Sequence, residues 1–358
     1  MDRSMTDETE MPEAIDPSPD RMPYLVHKVG AGEKAAQDLT YEEALEGARL
    51  LLSGEATPAQ AGGFLVALRV KGETMDEMLA FTEVCREYNK PLLLDKRMTP
   101  LDIPVYAGKK TFFHAIIPAA FVMAAAGQPV LLHGYSNAPG RLSVSAVLQA
   151  LGVCVDFSPQ EGAVALERSG FVYLDVAKFN PPLYRFHRLR NELGVRTVFN
   201  TVSRMVDPAG AGLHFIGISH PPYFETTLEV LKRLKSKRVL ILRGVEGGPE
   251  PSITSETKGF LSDNGRTDPV SLPVKEVGLA WASRSDIPGG DPEEQGKLIE
   301  EILSGAASGP VRDWVALTAA YGLCAAGLRP TPAEGWKLAD QTLSGGGGYR
   351  KLKEAAAS

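Results

Sequence analysis

Nowhere does the chain run to the roughly 18 consecutive apolar residues that a membrane-crossing helix needs, so no span is expected. The longest apolar run, near Ala115–Ala126, reads as a buried helix instead. Cysteine is scarce. Cys85, Cys154 and Cys324 are odd in number and far apart, which excludes both a disulfide framework and a zinc-type spacing. They read as buried thiols acting as small hydrophobes, and a reducing cytoplasm is the expected location. The N-terminus, MDRSMTDETE, lacks the basic-then-apolar order of a secretory leader.

Strong net charge is also absent. The formal value is −6 over 358 residues, which argues weakly against nucleic acid as a partner. The distribution alters that reading. Residues 1–20 hold seven acids and one base, so the remaining chain is balanced, with 37 of each sign. The acidic segment has no apolar period and is expected to be a disordered tail over 1–22. With 44% hydrophobic residues, the rest is long enough for a sizeable core and for two domains.

Residues 40–95 read as helices. Thr40 with Glu43 forms a T-x-x-E capping box ahead of LEGARLLLSG. Thr57-Pro58 opens a second helix, which Gly72 closes. Thr74 with Glu77 caps a third, to about Tyr88. The texture changes near Asp102. The runs PVYAG, PVLLHG, FVYLDV, HFIGIS and RVLILRG alternate with helical segments at 114–126, 142–151, 183–193 and 221–235. That alternation predicts an α/β domain whose mainly parallel sheet is flanked by helices, with ligands gathering at the carboxyl ends of the strands. Residues 261–292, rich in Pro, Gly, Asp and Ser, read as a long excursion. Three helices follow, and GGGG at 345–348 reads as a flexible break before a basic terminal piece. The expected division is 1–22 tail, 23–95 helical domain with a middle segment at about 180–195, and 96–358 α/β domain.

Four segments in order carry a resemblance: LTYEEALEGARLLLSGEATPAQAGGFLVALRVKGETMDEM, FVMAAAGQPVLLHG, LRNELGVRTVFN, and GGDPEEQGKLIEEILSGAASGPVRDWVALTAAYGLCAAG. Together they resemble the anthranilate phosphoribosyltransferases of glycosyltransferase family 3, over about residues 24–345. The resemblance implies a small all-helical domain joined to a larger α/β domain of nucleoside-phosphorylase type, and a homodimer formed through the helical domain. It also implies displacement of pyrophosphate from phosphoribosyl pyrophosphate by the anthranilate amine, with magnesium and backbone donors on the leaving group.

Set against the family's pattern, the site positions here are largely rewritten. The family's GTGGD loop is PVYAGKKTFFHAII in this chain, with Gly108 kept and Lys109 and Lys110 entering. His114, Ile116 and Ile117 stand at the Asn, Ser and Thr positions. The K-H-G-N-R motif becomes LHGYSNAPGR, which keeps His133 and Gly134, puts Leu132 and Tyr135 on either side, and offers Arg141 for a later lysine. Arg190 matches the family's carboxylate-binding arginine, and Arg196 reads as structural. The metal-binding Asp-Glu pair becomes Pro249-Glu250, with Glu246 nearby. Gly108, Lys109, Lys110, His133, Gly134, Arg141 and Arg190 are therefore the candidates for phosphate and substrate binding. Glu250 is a weak metal candidate, an exposed loop acid if magnesium is not used. No catalytic residue is assigned.

The chain also resembles a divergent, YbiB-like branch of the family, whose members bind nucleic acid. Lys109, Lys110, Arg185, Arg188, Arg190 and Arg204 are the candidate phosphate contacts, with Arg185, His187 and Arg188 placed on one helix face. Non-specific nucleic-acid binding is the leading functional expectation. An active phosphoribosyl transferase, using magnesium and anthranilate or another aromatic amine, is the alternative.

Overall fold

The computed structural model describes residues 21–32, 34–136, 140–219 and 222–358. Most of the expected acidic tail lies outside the described residues. Arg21 and Met22 do not belong to a tail, because they open the first helix, α1 (Arg21–Gly30), which buries Met22, Leu25 and Val29 at helical spacing.

Three further helices complete the bundle: α2 (Tyr41–Ser53), α3 (Pro58–Lys71) and α4 (Met75–Glu87). Each starts at a threonine whose hydroxyl accepts the N3 amide while the N3 side chain accepts the threonine's own amide. The pairs are Thr40 with Glu43, Thr57 with Gln60, and Thr74 with Glu77. Gly72 ends α3 at φ 89°.

The second domain begins at β1 (Leu101–Pro104), α5 (Ile116–Ala125) and β2 (Val130–Gly134). Then come α6 (Val144–Ala150), α7 (Pro159–Ser169), β3 (Phe171–Asp175), the one-turn α8 (Val176–Phe179), α9 (Pro181–Leu193) and the one-turn α10 (Phe199–Val202). After β4 (Leu213–Gly217), α11 (Pro222–Arg233) and β5 (Arg238–Leu242) the chain makes a hairpin, β6 (Gly259–Asp263) with β7 (Arg266–Val270). The end is helical: α12 (Pro292–Ser304), α13 (Pro310–Ala325), α14 (Pro332–Ser344) and α15 (Gly347–Ala356).

The sheet order is β3-β2-β1-β4-β5-β6-β7, parallel through β5 and antiparallel beyond it. Strand residues alternate between two cores. Ile103, Leu132, Tyr173, Phe215 and Leu240 face α5 and the terminal helices. Leu131, Leu174, Ile216 and Ile241 face the other way, into a core continuous with α1–α4. The helical bundle is therefore packed onto one face of the sheet.

Three expectations are corrected. PVYAG is not a strand beyond Pro104, since β1 ends there and the rest is the loop that follows. The excursion at 261–292 begins with strands, because Asn264 (φ 47°) and Gly265 (φ 89°) form the two-residue turn that suits a twisted hairpin. The 345–348 glycines are no flexible break. Gly348 lets α15 approach Leu303 and Val122, and Leu352 of α15 is fully buried. Cys85 and Cys324 are buried as expected, and Cys154 is half-buried. No helix among the described residues is long and apolar enough to cross a membrane.

Candidate functional site

β1 lies between β2 and β4, so the sheet order reverses there and the loops leaving β1 and β4 diverge. A cavity of about 530 Å³ opens at that point, between the strand ends and the helical bundle. The β1 loop supplies Tyr106, Ala107 and Lys110, and the loops after β2 and β4 supply Tyr135, Arg141, Ile218 and Ser219. Arg69 comes from α3 and Glu73 from just beyond it. α9 supplies His187, Arg190 and Asn191, and α11 supplies Tyr223 and Thr227. The segment between α9 and β4 adds Arg196, Thr197, Asn200, Thr201 and Arg204.

Six cationic side chains thus face one carboxylate. Glu73 is 3.7 Å from Arg69, and burial raises its carboxyl above the ordinary range. Arg196 is held below the usual arginine value by burial first, then by Arg190, Arg141 and Arg69. The like charges gathered around Arg196 mark an unmet positive potential, which an anion would satisfy.

Three buried polar atoms on the cavity wall have no partner among the described residues: His187 Nε2, Thr197 Oγ1 and Thr227 Oγ1. His187 is sandwiched between Tyr106 (5.0 Å, 7°) and Tyr135 (5.2 Å, 22°). Burial, then Arg190 and Arg204, pushes its imidazole down to about 3, so it is neutral in ordinary buffers. A neutral imidazole both donates and accepts, and here one nitrogen is left for a ligand.

The structure separates several residues that the sequence grouped. Lys109 does not reach the cavity. Its Nζ donates to Glu250 Oε2 at 2.8 Å and to the Val245 carbonyl, and both side chains are buried. Glu250 is accordingly not an exposed loop acid. Two amides of the β1 loop are also taken. Lys109 N donates to the Leu142 carbonyl and Lys110 N to Glu246 Oε2, so neither amide is left for a phosphate. Gly108 adopts φ 60° to make that turn. His114 is buried, with its amide and Nδ1 both on Gln295 Oε1, and Ile116 and Ile117 are core residues.

His133 is likewise not a ligand-facing residue. It is fully buried, 3.1 Å from Asp102, with its Nδ1 3.0 Å from the Tyr106 hydroxyl. Asp102 also sits 3.1 Å from His214 Nδ1, which makes a buried cluster across β2, β1 and β4. Gly134 serves packing, since a Cβ there would press on Val105 and the Tyr173 hydroxyl.

The proposed basic helix face is also corrected. On α9, His187, Arg190 and Asn191 (spaced i, i+3, i+4) face the cavity, whereas Arg185 and Arg188 point elsewhere. Arg185 donates to the Leu52 carbonyl at 2.8 Å and so caps the end of α2. Arg204 lines the cavity floor, but its NH1 is committed to the Gly217 and Gly247 carbonyls. Burial, then Arg196, lowers it to about 10. Arg196, expected to be structural, belongs to the cavity instead. Lys110, Arg141 and Arg190 line the cavity, and Arg141 NH1 also donates to the Gly108 carbonyl. Sequence reading missed Arg69, Glu73, Thr197, Asn200, Tyr223 and Thr227. Arg69 and Glu73 are four positions apart, but Gly72 ends α3 between them, and no local pattern marked the other four.

The site does not suit magnesium. Among the described residues no group of three or more His, Cys, Asp or Glu side chains is arranged to hold a metal ion. Glu250 Oε1 is buried without a partner, which by itself would favour a cation. The Lys109 ammonium against the same carboxylate opposes one. Glu246, at φ 54°, has both oxygens occupied, by Lys110 N and Thr111 Oγ1.

The chain matches the profile of a glycosyl transferase family helical bundle domain over residues 23–88, and that of a glycosyl transferase family a/b domain over residues 108–349. It is 35% identical to the anthranilate phosphoribosyltransferase of Desulfitobacterium hafniense, over 94% of this chain and 100% of that protein. It is 37% identical to the Thermus thermophilus enzyme of the same name, over 89% of this chain and 95% of that protein. A crystal structure of a Thermus thermophilus anthranilate phosphoribosyltransferase superposes with a TM-score of 0.82 at 36% identity, covering 93% of this chain and 98% of that one. The Saccharomyces cerevisiae protein, solved in complex with PRPP and Mg, shares the fold at 18% identity, with a TM-score of 0.80 over 94% of this chain and 98% of that one.

Proposed function

Since the chain belongs to this glycosyl transferase family and resembles its anthranilate phosphoribosyltransferases across both domains, we propose that it is a phosphoribosyl transferase. Its cleft takes a donor of phosphoribosyl pyrophosphate type and passes the phosphoribosyl group to an aromatic amine. The observation that carries this reading is the ring of six cationic side chains around a cavity of small-molecule size, opposed by a single carboxylate.

In the transfer, the amine nitrogen forms a bond to ribose C1 as the bond from C1 to the pyrophosphate oxygen breaks. Pyrophosphate leaves with the electron pair, and the amine's proton goes to solvent. Negative charge grows on the leaving group, so cations fixed nearby stabilise the transition state more than the ground state. Lys110, Arg190 and Arg196 are open to that role, because among the described residues none of them pairs with a carboxylate. Arginine forks match phosphate oxygens in pairs. His187 Nε2 and the Thr197 and Thr227 hydroxyls offer hydrogen bonds to the sugar or the acceptor.

A second reading, nucleic acid held without sequence preference, is favoured by one observation: Lys110, Arg188 and Arg190 are exposed. Both readings meet one assay. The protein is mixed with phosphoribosyl pyrophosphate and anthranilate, with and without magnesium, and loss of anthranilate fluorescence is followed. The transferase reading expects turnover that Arg190→Ala abolishes. Absence of turnover and of pyrophosphate release with a panel of aromatic amines, together with DNA binding that falls steeply with salt, would sink it in favour of the second.

A further inference from the structure

We infer that the cleft holds its phosphorylated ligand without a divalent cation, lysine and arginine side chains standing where a metal would otherwise neutralise the phosphates. The inference rests on the reading of the cleft as a phosphoribosyl-donor site.

The carboxylates nearest the strand ends are spent within the protein. Glu250 is fully buried, and its Oε2 accepts from the Lys109 ammonium at 2.8 Å. Gly248 lies over that pair. A Cβ at Gly248 would overlap Glu250 Oε2 and come within 2.8 Å of Lys109 Nζ. The loop is held in that position from below, because a Cβ on either Gly217 or Gly244 would overlap the Gly248 carbonyl. Admitting a dication at Glu250 would therefore mean displacing the Lys109 ammonium from the carboxylate and from the Val245 carbonyl. Glu246 is fastened to the β1 loop through both of its oxygens. Asp175, at the end of β3, accepts from Ser136 and from Ala177 N, and the one acid lining the cavity among the described residues, Glu73, sits beside Arg69.

The charge balance points the same way. A bound magnesium–pyrophosphate unit needs few protein cations, whereas a free pyrophosphate needs several. This cleft presents Lys110, Arg141, Arg190 and Arg196 without a carboxylate partner among the described residues, besides Arg69 beside Glu73 and Arg204 bound to two carbonyls. Guanidinium and ammonium groups supply charge-assisted hydrogen bonds to phosphate oxygens directly and require no dehydration of a metal.

The test is a calorimetric titration of the full chain with inorganic pyrophosphate and then with phosphoribosyl pyrophosphate. Each is run in EDTA and in excess magnesium at matched ionic strength. The expected result is binding in EDTA that is tighter than in magnesium or within about threefold of it, less than the tenfold that 1.4 kcal/mol represents. Lys110→Ala is expected to weaken binding roughly tenfold or more in both buffers, as the loss of a charge-assisted bond does. Binding that appears only with magnesium would overturn the inference and leave the transferase reading standing. So would a Glu250→Gln variant, shown by its melt to be folded, that loses affinity in magnesium alone. No binding in either buffer would overturn the inference and the reading of the cleft together.

Discussion

Glu250→Gln isolates the energetics of the buried ion pair. The substitution keeps size and shape but removes the charge that balances Lys109, 2.8 Å away, with the two side chains 1% and 3% exposed. Breaking a buried pair from one side leaves an uncompensated charge and costs about 3–5 kcal/mol. With an unfolding entropy of about 2.1 cal/mol/K per residue over 358 residues, the midpoint falls by about 4–7 °C. Lys109 Nζ also donates to the Val245 carbonyl, so that loop loosens as well. Lys109→Met with Glu250→Leu removes both charges, and such replacements are often neutral or stabilising. The assay is a thermal melt of wild type, both single variants and the double. The double is expected to recover most of the loss. A shift under about 1 °C for Glu250→Gln, or a double variant no more stable than the worse single, would refute a desolvated pair.

Other consequences follow from single features. His187 and His114 are held neutral, pushed down to about 3 and about 4, in each case by burial first. Unfolded histidines titrate near 6.5, so below that pH the unfolded state binds protons that the folded state does not. Stability is thus flat above pH 6.5 and falls by up to about 1.4 kcal/mol per pH unit per histidine below it. Melts from pH 7.5 to 5 should show this loss, and His114→Gln should reduce the slope; an unchanged slope would contradict it. Gly244→Ala forces a Cβ into the Gly248 carbonyl and should destabilise by about 3 kcal/mol, read by denaturant titration. Leu352→Ala, at a fully buried position of α15, should cost about 2–5 kcal/mol in the same assay, whereas a flexible terminus would show no change.

What was legible in the sequence was local. Thr40, Thr57 and Thr74 each announce the helix that starts at the next residue, because a cap satisfies its donors within one turn. Alternating apolar runs announced the parallel strands for the same reason. The hairpin at 259–270 was overlooked although its Asn264-Gly265 turn was in view; the many glycines and prolines around it read as loop. Contacts at long separation were not legible. Lys109 meets Glu250 across 141 positions, and the pair turns two apparent ligand residues into one internal bond. Arg185 looks like a phosphate contact until its carbonyl partner, Leu52, is seen. His133 matched a family motif, yet its neighbours Asp102 and Tyr106 come from another strand and the loop after it. The cavity itself draws on both domains, so Arg69 and Thr227 could be assigned to it only once the bundle was seated on the sheet.

The most direct test of the cleft as a cation-held donor site is a titration of phosphoribosyl pyrophosphate into wild type and Arg190→Ala in one buffer of fixed salt. Saturable one-to-one binding is predicted, competed by pyrophosphate and weakened roughly tenfold or more by the substitution. Equal affinity in the two proteins, or no binding to wild type, would contradict it.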